Sequence, residues 1–286
     1  MWPPADDLVL RGENLDVLSR FPDGAFALVY ADPPFNTGRR RTRRTLRTSA
    51  GEDGDRAGFA GRRYRSEVVG ESSYRDSFDD YLCFLEPRLR EIRRLLADTG
   101  TFYLHLDPRE SHYVKVLLDG VFGRDCFLNE LVWAYDYGAR PKRRWPAKHD
   151  TILVYVRDPD RYHFDAGAVE REPYMAPGLQ TAERAARGKL PTDVWWHTIV
   201  SPTGSEKTGY PTQKPEGIVR RMVQASTRPG EWCLDPFAGS GTLGAVARKL
   251  RRRFVLVDES AEAVAIARRR LVALAEESDG TGRIAV

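Results

Sequence analysis

The stretch EWCLDPFAGSGTLGAVARKLRRRFVLVD, residues 231–258, holds in order a short apolar run, a glycine-bearing turn, a helical pattern and a second apolar run. "EWCLD" reads as a strand ending at Asp235, the segment from about Leu243 to Leu250 as a helix, and "FVLVD" as a strand ending at Asp258. That spacing fits one βαβ unit. Gly239 and Gly241 fall in its first turn, where the missing Cβ lets the backbone approach a ligand and leaves the first helical amides free. Asp258 ends the next strand, where a carboxylate can hold both hydroxyls of a ribose. The Gly-Lys-Ser/Thr run of a phosphate cradle is absent and the G-x-G-x-x-G pattern is only partly present, so no pyrophosphate is implied. Asp235 would repel a phosphate and attract an amino group. An adenosine carrying a cationic amino acid, S-adenosylmethionine, meets these terms.

Outward from this unit, short runs of Val, Leu, Phe and Tyr alternate with helical patterns over most of the 286 residues, which predicts an α/β domain with a largely parallel sheet. Strands are expected at residues 8–12, at 26–31, at "TFYLHLD" from Thr101, and at "ELVWAY" and "TILVYVR". Helices are expected at "ENLDVLSRF", at "YRDSFDDYLCFLEPRLREIRRLLADTG" with a bend or break at Pro87, at "ESHYVKVLLDGVF", from Glu216 to Ser226, and finally through Leu274. Two regions lack the pattern. Residues 38–73, rich in glycine, arginine, serine and acids, read as a long mobile surface loop. Residues 158–207 have few apolar runs and several prolines, and read as a small recognition insert that begins at Tyr135 at the earliest. The chain divides accordingly into residues 1–134, 135–207 and 208–286, with a frayed tail at "ESDGTGRIAV".

The strand at 26–31 runs directly into "ADPPFNTG", residues 31–38, which sets a carboxylate, two prolines and an aromatic at a strand's carboxyl end. Proline fixes its own φ and restrains the residue before it, so this exit is stiff. Taken singly, each feature has a plainer reading: a strand-exit turn for Asp-Pro-Pro, a tight turn for the two glycines, a helix cap for Asp258.

Taken together, "ADPPF", "TQKP" and "LDPFAGSGT" closely resemble the amino-group DNA methyltransferases that modify adenine N6 or cytosine N4. "LVLRGENLDVLSRFPDGAFALVYADPPFNTG", "GTFYLHLDPRESHYVKVLLDGVFG" and "NELVWAY" are similar to further segments of that family. The order, with the catalytic motif first, a variable region next and the cofactor motif last, resembles the circularly permuted beta group. This resemblance implies a Rossmann-like seven-stranded sheet in which the strands ending at Ala31 and Asp235 are neighbours at the topological switch point. It implies catalysis by Asp32, Pro33, Pro34 and Phe35. It implies S-adenosylmethionine bound by Asp235, Phe237, Ala238, Gly239, Ser240, Gly241, Thr242 and Asp258, with Thr212 and Lys214 on the cofactor side. Duplex DNA is the implied substrate, a homodimer the implied assembly, and a bacterial modification system with a cognate restriction endonuclease the implied setting. Aspartate at the head of the motif resembles the adenine group, whereas serine is more typical of the cytosine N4 group, which is the alternative.

The residue types suit that chemistry. The exocyclic amine of adenine is a poor nucleophile, because its lone pair is delocalised into the ring, so acceptors must stand where its N–H bonds point as the nitrogen becomes tetrahedral. Asp32 and the Pro33 carbonyl can accept, Phe35 can stack on the base, and a paired base must first be flipped out. Neither a metal nor a covalent intermediate is required. His105, Asp107, Ser111 and His112 follow the same sheet edge as candidate pocket residues, with capping by Asp107 an equal reading. Trp195 and Trp196 read as anchors of the insert, with stacking on DNA the other reading.

The net charge is +4 and the pI about 9.0. Only seven of the 45 basic residues are lysine, and the arginines cluster, which suits a polyphosphate backbone, with a solvated basic surface the plainer reading of each run taken singly. "GRRRTRRTLR", with Arg39, Arg40, Arg41, Arg43 and Arg44, and "ARPKRRWPAK", with Arg143 and Arg144 beside Trp145, are the expected DNA contacts. Cys83, Cys126 and Cys233 form neither a disulfide framework nor a metal-ligand pattern and read as reduced core residues. No apolar run is long enough to span a bilayer, and "MWPPADDLVL" lacks the regions of a signal peptide, so a cytoplasmic protein associated with the nucleoid is expected. Two other classes compete: a small-molecule dehydrogenase, which predicts a fuller glycine fingerprint and no arginine clusters, and a nonenzymatic nucleic-acid-binding protein, against which the intact Asp32, Pro33 and Phe35 argue.

Overall fold

A computed structural model of the chain describes residues 2–36, 78, 80–138 and 140–276 in full and, as backbone, 39–50, 56–57, 63–76, 277 and 284–285. In chain order the elements are β1 (Asp7–Arg11), α1 (Asn14–Leu18), β2 (Phe26–Ala31), β3 (Arg39–Ala50), β4 (Arg56–Ala57), β5 (Arg63–Asp76), α2 (Tyr81–Leu95), β6 (Leu96–Leu106), α3 (Ser111–Phe122), β7 (Phe127–Ala134), β8 (His149–Val156), α4 (Ala182–Arg187), β9 (Val194–Trp196), α5 (Glu216–Ser226), β10 (Trp232–Asp235), α6 (Thr242–Lys249), β11 (Arg253–Asp258), α7 (Ala261–Glu277) and β12 (Ile284–Ala285).

Among the described residues the main sheet runs β12-β1-β11-β10-β2-β6-β8-β7-β9. The seven central strands form the expected sheet, and the short β9 and β12 extend its two edges. Neighbours are parallel except at β8, which runs against both β6 and β7. Every residue of β2 is buried, as expected for a strand covered on both faces, where an unbroken apolar run replaces alternation. β10 pairs with β2 through Cys233↔Leu28 and Leu234↔Val29. From β10 the chain leads through α6 to β11 on one side, and from β2 the sheet continues to β6 on the other. The strand order reverses between β10 and β2, so their carboxyl ends flank a crevice.

The chain forms two compact units, one of Met1–Pro33 with Leu82–Val286 and one of Pro34–Tyr81. In the second, β3 pairs antiparallel with β5 from Arg39↔Asp76 to Ala50↔Tyr64, and β4 pairs with β5. The expected loop over 38–73 is therefore corrected: most of it is strand. A two-stranded ladder satisfies backbone donors and acceptors without needing an apolar face, so the sequence carries no alternation to betray it. Asn36, at φ 52, accepts a hydrogen bond from the Phe78 amide at 3.0 Å and ties the two ends of this segment together.

α2 runs through Pro87 without a break, one of the two outcomes expected there. Three smaller expectations change. Ile284 and Ala285 pair with Asp7 and Leu8 rather than fraying. Cys83 is exposed, while Cys126 and Cys233 are buried, and burial pushes the Cys233 thiol up to about 12. Trp195 anchors the insert, buried with its Nε1 donating to the Thr192 carbonyl at 2.7 Å, but Trp196 points the other way on the pleat and is 76% exposed. No described helix is long and apolar enough to cross a membrane.

α5 is fastened at its start. Glu216 accepts from Arg270 at 2.8 Å and from Lys249 at 2.7 Å, and the Glu216 and Arg270 side chains are each 7% exposed. Glu216→Ala leaves a buried guanidinium without its carboxylate and is expected to destabilise the protein by about 3–5 kcal/mol in urea unfolding, with Glu216→Gln milder.

Candidate active site

The β2–β10 pairing brings Asp32, one residue past β2, to the same sheet edge as Asp235, the last residue of β10. Lys214 closes on this edge. Its Nζ donates to both oxygens of Asp32, at 2.6 and 2.5 Å, and the two side chains are 10% and 16% exposed. The Lys214 carbonyl accepts from Thr242 Oγ1 at 3.1 Å, so the same residue joins the Asp-Pro-Pro edge to the glycine turn. Thr212, two residues earlier, is exposed.

The glycine turn has the backbone that only glycine adopts easily: φ is +49° at Gly239 and +72° at Gly241. A Cβ on Gly239 would meet the Tyr210 ring at 3.0 Å, and one on Gly241 would meet the Ala267 Cβ at 2.9 Å. Asp258 accepts from the Gly239 amide and the Ser260 amide, each at 2.8 Å, and Asp235 accepts from the Phe237 amide at 3.0 Å. Ala238 donates to the Val257 carbonyl. Arg270 holds the Ser240 carbonyl and Thr242 Oγ1 from behind. Phe237 lies 6.4 Å from the Phe84 ring, and Asn14, held by Arg88, donates to the Pro236 carbonyl.

Two of these carboxyls are costly to ionise. Burial pushes Asp235 well above the usual carboxylate range; the Phe237 amide opposes this, and the charges of Asp32 and Asp258 add to it. Burial likewise raises Asp258, against the pull of the Ser260 and Gly239 amides. A crevice with three acids and the Lys214 ammonium favours a ligand that brings positive charge.

Behind Asp32 runs a buried polar chain. The Tyr30 hydroxyl lies 3.0 Å from His105 Nδ1, His105 Nε2 lies 3.0 Å from Asp150 Oδ2, and the Tyr135 hydroxyl donates to Asp150 Oδ1 at 2.9 Å. Burial, then Asp32, Asp235 and Asp150, pushes the Tyr30 hydroxyl well up; burial also raises Asp150, but His105, Lys214 and Tyr135 more than offset it. Tyr30 therefore donates to Nδ1, and Nε2–H donates to Asp150. His105 is fully buried, which corrects its reading as a pocket-lining residue. Asp107 binds Arg109 through its side chain rather than capping α3.

Arg143, Arg144 and Trp145 are exposed in the segment between β7 and β8, which leaves and re-enters the sheet at the edge where β2 ends. The side chains of Arg39, Arg40, Arg41, Arg43 and Arg44, on β3, lie outside the described residues. Pro34 and Phe35 belong to the second unit.

A crevice at a switch point, with a glycine turn, an acid ending each of two adjacent strands and a lysine-held carboxylate beside them, defines a nucleoside-binding α/β protein suited to methyl transfer. Residues 26–269 match the model of the N6/N4 DNA methylase family, and the chain belongs to that family. It is 28% identical over 273 residues to the DNA adenine methyltransferase YhdJ of Escherichia coli (strain K12), across 92% of this chain and 82% of that one. It is 26% identical over 266 residues to the type II methyltransferase M.HpaI of Haemophilus parainfluenzae, across 93% and 74%. Its fold is similar to that of the cytosine-N4-specific PvuII DNA methyltransferase, with a TM-score of 0.63 at 13% identity over 98% of this chain and 94% of that one.

The family takes S-adenosylmethionine as its methyl donor. The residues present fit it: Asp235 and Asp258 are desolvated carboxyls that accept from backbone amides, suited to an ammonium and a ribose diol, and the Gly239–Gly241 turn offers bare backbone beside them.

Tyr210, the Glu216–Arg270 pair, and the Tyr30–His105–Asp150–Tyr135 chain carry no motif. The pattern "KHD" before an apolar run is a polar residue heading a strand, a weak signal for Asp150.

The raised carboxyls have a cost. The folded chain keeps protons on Asp235 and Asp258 at pH values where unfolded carboxyls, near about 4, have lost them. The stability these groups contribute is present below that range and is lost as pH rises through their raised values. Asp235→Asn is expected to melt higher than the wild type without cofactor at about pH 7.5, and to bind S-adenosylmethionine roughly tenfold more weakly or worse by calorimetry. A lower melting temperature with unchanged affinity would contradict this account.

Proposed function

We propose that this protein methylates the N6 amino group of adenine in duplex DNA, with the target base flipped out toward the shared edge of β2 and β10. The observation that carries this reading is the Asp32 carboxylate, gripped on both oxygens by Lys214 at an edge that also holds Asp235 and Asp258. When bound, S-adenosylmethionine supplies an electrophilic methyl group. Asp32 accepts one N–H of the amine and the Pro33 carbonyl accepts the other, so the lone pair turns out of the ring and toward the methyl carbon. Pro33 and Pro34 keep these acceptors from relaxing, and Phe35 stacks on the base. Lys214 orients Asp32 and yields one of its oxygens as the amine arrives. Holding base and donor at one edge would supply the in-line geometry for direct displacement, and Asp32 would take the proton that the methylated amine releases.

Two observations favour adenine: the aspartate heading "DPPF" and the likeness to a DNA adenine methyltransferase over 92% of the chain. The similarity to a cytosine-N4-specific enzyme keeps N4 methylation as the second reading. DNA from a methylation-free host expressing the protein, digested and analysed by mass, is expected to contain N6-methyladenine; N4-methylcytosine alone would reverse the assignment. Asp32→Ala is expected to lower methyl transfer by about 10²–10³-fold or more while cofactor binding persists.

Arg143 and Arg144 are read as phosphate contacts. Replacing both with alanine is expected to weaken DNA binding across sequences and to flatten the slope of log affinity against log salt by up to about 2, measured by fluorescence anisotropy. An unchanged slope would return them to ordinary surface.

A further inference from the structure

The segment between β7 and β8 presents a side chain that the fold leaves uncovered. Trp145 is 94% exposed, and Lys142, Arg143 and Arg144 just before it are exposed as well. Tyr137 and Trp196, both exposed, stand at the same edge of the sheet, so the ring is not an isolated surface residue. The base of the segment is fixed. Lys148 Nζ donates to the Tyr137 and Gly138 carbonyls at 2.7 and 3.0 Å, and the Tyr135 amide donates to the Lys148 carbonyl at 2.9 Å. Pro146 holds the residue before it extended, so Trp145 is presented on a stiff backbone and loses little entropy when something covers its ring.

The place of the segment indicates what covers it. Through Ala31↔Leu104↔Leu153 the register puts His149, which heads β8, two strands away from β2 and about 10 Å further toward the carboxyl edge than Asp32. The basic segment therefore stands beside the edge proposed to receive the flipped base and rises past it. Its lysine and arginines suit phosphates, and an indole suits the face of a base. In an intact duplex each base face is covered by the next pair, so a ring can enter only by prising a step apart. Extruding one base opens such a gap and uncovers the faces of its two neighbours. Trp145 thus meets its natural surface only once the target has left the stack. Trp196 is held in β9, two strands beyond β8 and farther from Asp32.

We propose that Trp145 enters the duplex at the gap left by the target base, stacks on the uncovered neighbours and so holds the flipped state while the methyl group moves. It is a positioning residue, and its role rests on the reading that the target is flipped to the Asp32 edge, for adenine and cytosine alike. The methylated site is first mapped by sequencing DNA from a host that expresses the protein. Single-turnover methyl transfer is then measured on two synthetic duplexes carrying that site, one fully paired and one with a mismatch opposite the target. Trp145→Ala is expected to slow transfer to the paired duplex by about tenfold or more, with Trp145→Phe between it and the wild type. On the mismatched duplex, where the target leaves the stack cheaply, the loss is expected to shrink to about threefold or less. Affinity for S-adenosylmethionine and the melting temperature are expected to stay at wild-type values, because the ring is exposed. Transfer to the paired duplex at the wild-type rate, or an equal loss on both duplexes, would overturn the proposal. Host DNA with no methylated base to map would refute the function proposed above, and the role of Trp145 with it.

Discussion

Lys214 grips both oxygens of Asp32 at an edge that holds two more carboxyls, the buried Asp235 and the half-buried Asp258. Like charges this close in a poorly solvated crevice repel strongly, and a cation among them makes the arrangement tolerable. Much of the surrounding structure maintains that contact. The β2–β10 ladder fixes Asp32 against Asp235, Thr242 holds the Lys214 backbone, and the Glu216–Arg270 pair secures both the start of α5 and the glycine turn. The site is acidic by construction, so it is least comfortable when empty and best matched by a cationic nucleoside.

The polar chain from Tyr30 through His105 and Asp150 to Tyr135 extends the same logic into the core. It joins the strand that leads to Asp32 with the entrance of the exposed basic segment at Arg143 and Arg144. Every member is hydrogen-bonded, which is what lets these groups stay buried, and the aromatic packing of His105 on Trp133 leaves little room for rearrangement. The exposed basic segment and the Asp32 edge thus share one hydrogen-bonded support.

Much of this was legible in the chain. α5 spans Glu216–Ser226 as its apolar period predicts, β2 and the β10–α6–β11 unit follow their apolar runs, and the two acidic motifs stand at strand ends. What escaped notice was whatever lacks periodicity or depends on a distant partner. The β3–β5 ladder is held by backbone bonds that leave no side-chain signature. The burial of His105 cannot be read from "TFYLHLD", because a histidine in a strand looks the same whether it faces solvent or a buried aspartate. Trp195 and Trp196 are adjacent and alike, and only the pleat against β7 separates the anchor from the exposed ring.

Local order needs only neighbouring residues, so hydrophobic period, glycine placement and proline stiffness determined most elements of the main sheet and the class of fold from the sequence alone, while the likeness of "DPPF" and "DPFAGSG" to family motifs marked out the candidate site. Partnership is different. Lys214 lies 2.5 Å from Asp32 across the whole variable region, and Glu216 lies 2.8 Å from Arg270 across two helices and two strands. Charges pair through space rather than along the chain, and burial sets what each pair is worth. Only the folded sheet, by choosing which strands are neighbours, decided that Lys214 would become the counterion of Asp32.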